Sequence, residues 1–141
     1  MAKYRLKYPT VPESEGRMLD ELTDCLANHD ICQEIVRAIM LTLSEAFTNA
    51  MIHGNDWDNK KSVQLDLQVN ENVVVADISD EGSGGLSRVQ KSKPGGLLAD
   101  HGRGLGLMKH FSTKLDIAQT ETGGLKVRAI FELNNSLEIG T

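Results

Sequence analysis

The chain has 141 residues and a mass of 15.5 kDa, which fits one compact domain spanning 1–141 and leaves no room for two independent catalytic domains. With 40% hydrophobic and 25% charged residues, 13 glycines and 3 prolines, it falls outside the collagen-like and disordered classes, and no apolar run approaches the roughly 18 to 20 residues of a membrane span. Twenty acidic against fifteen basic residues and 4% aromatics argue against direct nucleic-acid binding, and Met1-Ala2-Lys3-Tyr4-Arg5 opens no secretion signal, so the chain reads as cytoplasmic and free of the membrane.

Tyr4, Leu6 and Tyr8 alternate with basic residues ahead of Pro9 and Pro12, the pattern of a short edge strand. Ser14 to about Asn28 places Met18, Leu19, Leu22 and Leu26 at helical spacing, and Ile31 to about Ile52 predicts a longer helix so apolar that it must be largely buried. Cys25, His29 and Cys32 have the look of metal ligands, but two thiols in an apolar helical region are read as core. Val63, Leu65, Leu67 and Val69 alternate with Gln64, Asp66 and Gln68, and Asn70-Glu71-Asn72 turns the chain into Val73 to Ser79, a hairpin with one wet face. Gly82 to Gly106 holds eight of the thirteen glycines and Pro94, and must contain a loop. A short helix from about Leu105 to Thr113, a strand around Leu115 to Gln119 and a last strand with Leu125, Val127, Ala129, Phe131 and Leu133 on one face complete the order. The expected class is α+β: a two-layer sandwich with a mainly antiparallel sheet and helices on one face.

Three places carry chemistry. Glu45, Asn49 and His53 recur every four residues along the apolar helix, so they project along one side. A solvated stripe would explain this on a surface helix, yet Ala38, Leu41, Leu43, Ala46, Phe47 and Ala50 leave little of this one to water. The neutral Asn49 oxygen suits Mg2+ that keeps most of its shell as water and phosphate, and Glu45, one turn away, can accept a proton. His53 can reach a phosphate or be satisfied by its neighbours. Asp80-Glu81-Gly82-Ser83-Gly84-Gly85 follows a hydrophobic strand; it is either a plain tight turn or a carboxylate that reads the exocyclic amine of adenine beside a closely passing backbone. His101-Gly102-Arg103-Gly104-Leu105-Gly106-Leu107-Met108 sets three alternate glycines before a helix, a cradle for phosphate, with Arg103 as a phosphate ligand or a solvated charge.

In this order the three elements resemble the GHKL ATPase superfamily. Ser44-Glu45-Ala46-Phe47-Thr48-Asn49-Ala50 with His53-Gly54 is similar to its N box, Asp80 to Gly84 to its G1 box, and Gly102 to Gly106 to its G2 box. Glu-Ala-x-x-Asn-Ala-x-x-His and Gly-Arg-Gly-Leu-Gly-Leu-Met are most similar to the anti-sigma factor serine kinases, over about Pro12 to Leu133. The resemblance implies a Bergerat ATP-binding sandwich using ATP and Mg2+. Asp80 would contact the adenine amine, with Gly82 and Gly84 beside it, and Asn49 would hold the metal. Glu45 would be the catalytic base, Gly102, Arg103, Gly104, Leu105 and Gly106 would lie at the phosphates, and Gly85 to His101 would form the ATP lid. Leu125 stands where such proteins often carry threonine, Gly85 where a larger apolar residue is common, and Ser112-Thr113-Lys114 where acidic residues often follow the G2 helix.

The resemblance further implies an ATP-dependent protein serine kinase that phosphorylates an anti-sigma factor antagonist and, in the alternative state, binds a sigma factor; it leaves a homodimer open. Two rivals remain. A sensor histidine kinase catalytic module would need an upstream dimerisation helix, for which residues before 12 leave no room, and a nucleotide-responsive binding module without phosphotransfer would not need Glu45.

Overall fold

The computed structural model describes residues 1–83 and 114–133. In chain order these form β1 (Ala2–Pro9), α1 (Glu13–Ala27), α2 (Gln33–Asn49) running into a π-turn (Ala50–Gly54), β2 (Ser62–Val69), β3 (Val73–Ser79), β4 (Lys114–Gln119) and β5 (Leu125–Glu132). The five strands make one sheet in the order β1-β2-β3-β5-β4, every neighbouring pair antiparallel. The expected α+β class and edge position of the first strand hold; the helix expected at 105–113 lies outside the described residues.

Strict alternation produces the layering. Tyr4, Leu67, Ala76, Ala129 and Leu115 stand in one row across the sheet, and β2, β3 and β5 turn Val63, Leu65, Leu67, Val74, Ala76, Ile78, Val127 and Phe131 toward the helices. Period-2 patterning leaves the adjacent row, Arg5, Asp66, Asp77, Arg128 and Asp116, on the opposite face. There Arg5 donates to Asp66 at 2.7 Å and Arg128 holds Asp77 through two parallel bonds of 2.8 and 2.9 Å. Each of the two facing carboxylates thus gains its own guanidinium, which offsets their mutual repulsion. The hairpin between β2 and β3 is closed by Asn70, whose side-chain oxygen accepts the Asn72 and Val73 amides at 2.7 and 2.9 Å.

Gln33–Gly54 is a continuous run of 22 residues and, contrary to the reading from sequence, it is long and apolar enough to cross a membrane. Packing accounts for that composition: Ile35, Ala38, Ile39, Leu43, Ala46, Phe47, Ala50 and Met51 are all buried in the core. Tyr8 joins the same core, edge-on to Phe47 at 5.8 Å between ring centroids, with the Arg17 guanidinium over its ring and its hydroxyl donating to Glu21. Burial, and then the Glu21 carboxylate, push the Tyr8 phenol above its ordinary pKa. Cys25 is core, as expected, but Cys32 is exposed at the N-terminal boundary of α2, so the second thiol is not a core residue.

Candidate functional site

The described candidate residues come from the C-terminal half of α2 and from the end of β3. Glu45 is half-buried and Asn49, one turn on, is 9% exposed. The residues immediately before them, Ser44 and Thr48, both donate their hydroxyls to Glu15 Oε2 of α1, at 2.7 and 2.9 Å. One carboxylate oxygen therefore ties two successive turns of α2 to the start of α1 and fixes the rotation of the helix, hence the flank on which Glu45 and Asn49 project. Past Asn49 the backbone widens into the π-turn, with His53 exposed upon it. The even spacing in sequence is therefore not one straight row: Glu45 and Asn49 share α-helical turns, and the wider turn re-aims His53.

Asp80 follows β3 directly and is 4% exposed. Its amide donates to the Leu125 carbonyl at 3.0 Å, and its Oδ1 accepts the amides of Leu125 (3.1 Å) and Gly82 (2.9 Å). A carboxylate oxygen with two backbone donors has its orientation set by the fold. Leu125 serves through its backbone while its side chain is buried in the core. Two glycines crowd the same residue. A Cβ on Gly54 would lie 2.2 Å from Asp80 Oδ2, and one on Gly124 would lie 2.2 Å from the Asp80 carbonyl oxygen. Gly54 closes the π-turn, so this close approach is where the end of the Glu45 and Asn49 helix meets the turn that carries Asp80. Gly84, Gly85 to His101, Gly102, Arg103, Gly104, Leu105 and Gly106 lie outside the described residues.

One residue went unread in the sequence. Asn55, fully buried at 0% exposure, donates through Nδ2 to Thr10 Oγ1 (2.8 Å) and to the Ser62 carbonyl (3.0 Å), and accepts the Glu81 amide on Oδ1 (2.8 Å). The Glu81 carboxylate in turn accepts the Ser62 amide at 2.6 Å. The only local signal was an amide side chain directly after His53-Gly54, which reads equally well as an ordinary helix-end turn.

Among the described residues no three His, Cys, Asp or Glu side chains are grouped to hold a metal ion, which removes Cys25, His29 and Cys32 as a zinc site. His29 Nε2 instead hydrogen-bonds the Tyr4 hydroxyl at 2.8 Å. The donor set at the site fits Mg2+ bound through the single neutral oxygen of Asn49, since that ion keeps most of its coordination shell as water and phosphate oxygen.

Comparison with known proteins bears on the family and the fold. The histidine kinase-like ATPase domain family matches residues 8–131. The anti-sigma F factor of Clostridium perfringens is 29% identical over 131 residues, covering 89% of this chain and 92% of that protein. That of Bacillus cytotoxicus is 26% identical over 135 residues, covering 93% and 92%. Among solved structures, the RsbU and RsbW domains of a Mycobacterium tuberculosis protein superpose with a TM-score of 0.67 at 17% identity, over 94% of this chain but only 33% of that one. The histidine kinase domain of an Erythrobacter litoralis blue-light activated histidine kinase superposes with a TM-score of 0.62 at 19% identity, over 93% of this chain and 64% of that one. Identities this low speak to the fold, whereas the family match spans most of the sequence and takes in Glu45, Asn49 and Asp80. The chain belongs to the histidine kinase-like ATPase domain family.

Proposed function

We propose that this chain is a single-domain, cytoplasmic, ATP-dependent protein serine kinase that acts as an anti-sigma factor. Its phosphoacceptor would be a serine of an anti-sigma factor antagonist, and a sigma factor would be its alternative partner. The observation that carries the reading is the junction of Gly54 with Asp80, which brings the Glu45 and Asn49 helix to a buried, backbone-anchored carboxylate. Support for the partner class comes from the relatives named anti-sigma F factor, which are matched over nearly their whole length.

Asp80 would accept a hydrogen bond from the adenine amine and Asn49 would hold Mg2+ on the phosphate side. The ion, when bound, supplies positive charge against the γ-phosphoryl. Glu45 takes the proton of the serine hydroxyl as its oxygen bonds to the γ-phosphorus; the bridging bond to the β-phosphate breaks and ADP leaves with those electrons. The work of the protein is orientation, which is why the clamp of Ser44 and Thr48 on Glu15 matters: it holds the base at a fixed angle.

The test pairs a pull-down with and without MgATP, followed by phosphosite mapping, with single-turnover transfer by Glu45→Gln. The amide keeps the shape but takes no proton, so ATP binding should persist while transfer to a retained partner falls about a hundred- to ten-thousand-fold. Asn49→Ala should lower both. Transfer by Glu45→Gln at the parental rate removes Glu45 as the base, and no transfer by the parent to any retained partner leaves the nucleotide-responsive binding module as the reading.

A further inference from the structure

Asn55 stands on no strand or α-helix, yet it is completely buried, and both donors and the oxygen of its carboxamide are used. Its partners come from three separate parts of the chain: Thr10 just past β1, Ser62 at the start of β2, and Glu81, the residue after Asp80. Thr10 is itself held, its amide and its hydroxyl both donating to the Lys61 carbonyl at 3.1 and 2.8 Å. The Asn55 amide donates back to Ala50 at 2.8 Å, which locks the residue to the π-turn. With Ser62 and Glu81 it forms a closed ring: Asn55 to the Ser62 carbonyl, the Ser62 amide to the Glu81 carboxylate, the Glu81 amide to Asn55 Oδ1. That ring grips the backbone on the C-terminal side of Asp80, while Leu125 grips Asp80 from the neighbouring strand.

We infer that Asn55 is a positioning residue that sets nucleobase selectivity by fixing the direction in which the Asp80 carboxylate faces. The inference rests on Asp80 being the adenine contact. Gly54, one residue earlier, lies so close to Asp80 Oδ2 that a small movement of this segment changes the space beside that oxygen. A carboxylate held in one direction accepts from an amine and repels a carbonyl, so it separates adenine from guanine. A carboxylate free to turn can be met by either base through water, and separates them less. Asn55 acts on the base only through Asp80, and a purely architectural role would lower stability without touching that discrimination.

The experiment measures affinity for MgATP and MgGTP by calorimetry for the parent, Asn55→Ala, Asn55→Asp, Thr10→Val and the core control Val69→Ala, at a temperature where melting curves show each variant folded. Asn55→Ala should lose ATP affinity about tenfold or more, the scale of a misplaced contact, and its ATP to GTP ratio should shrink toward one. Asn55→Asp keeps an acceptor for the Glu81 amide and should recover part of the ratio even though it loses both donors. Val69→Ala, buried at the end of β2 away from Ser62, should melt earlier with the parental ratio. If Asn55→Ala does not fold, Thr10→Val decides: it removes one acceptor of Asn55 without touching Glu81, and the ratio should fall at least about twofold. A folded Asn55→Ala with the parental ratio overturns the inference, as does Thr10→Val with the parental ratio where the alanine variant fails to fold. A parent that binds ATP and GTP alike defeats the adenine reading itself, which keeps the two failures distinct.

Discussion

Replacing Asp80 by Asn tests the nucleotide pocket with the least change of shape. Oδ1 of Asp80 accepts two backbone amides, from Gly82 at 2.9 Å and Leu125 at 3.1 Å. The carboxamide must therefore point its oxygen at those two donors. Flipping it would sacrifice both bonds, each contributing about 1 kcal/mol, and set its NH2 against two N–H groups. With the oxygen so committed, the NH2 falls where Oδ2 was, beside Gly54, and presents a donor to the adenine amine. The loss is one hydrogen bond to a charged acceptor, about 1.5 to 3 kcal/mol, or roughly ten- to a hundredfold in ATP affinity. The same NH2 faces the guanine carbonyl favourably, so the ATP to GTP ratio should fall by more than ATP affinity alone. Isothermal calorimetry with both nucleotides reads the two effects. An Asp80→Asn protein that binds ATP as tightly as the parent would show that this carboxylate does not touch the base.

Other substitutions probe the packing around it. Gly54→Ala would put a Cβ 2.2 Å from Asp80 Oδ2, so Asp80 or the π-turn must shift; melting temperature and ATP affinity should both drop, with a cost of about 1 to 3 kcal/mol typical of overpacking. Gly16→Ala, exposed near the start of α1 with nothing within 4 Å of the added carbon, should instead raise stability by up to about 1 kcal/mol and leave nucleotide binding alone. Tyr8 has a folded pKa raised above its ordinary 10.0 by burial and by Glu21, so the folded state holds the phenolic proton more tightly than the unfolded one. Its contribution is therefore complete below about pH 10 and declines as pH rises beyond, and Tyr8→Phe should flatten the fall in melting temperature over that alkaline range. Burial raises the Cys25 thiol as well, so some alkaline loss should persist in that variant.

The strands were legible because one side of the sheet is dry and the other wet: Val63 to Val69 and Leu125 to Leu133 each alternate without a break, and that pattern admits one register. The helices were legible from apolar spacing, and their ends from Pro12 and the polar Asn28 to Asp30. Glu45, Asn49 and Asp80 could be singled out because polar groups on apolar elements are costly unless something binds them. The π-turn at Ala50–Gly54 was not legible, since one extra residue in a turn has no compositional signature. Membrane-spanning length in Gln33–Gly54 was missed for a related reason: Arg37, Thr42, Ser44-Glu45 and Thr48-Asn49 break a strict apolar count without lowering the average much.

Asn55 shows where sequence reading must stop. A buried amide is costly unless its two donors and its acceptor are all met, and here the three partners come from positions 10, 62 and 81, which no local window contains. The same holds for Asp80, which is read locally as the end of a strand but is oriented by Leu125, forty-five positions away. Local pattern can therefore nominate the groups that do chemistry, because their polarity conflicts with their surroundings. The groups that aim them are satisfied, and so conflict with nothing. They come into view only when strands β1, β2, β3 and β5 are laid side by side and the hydrogen bonds at their ends are followed from one to the next.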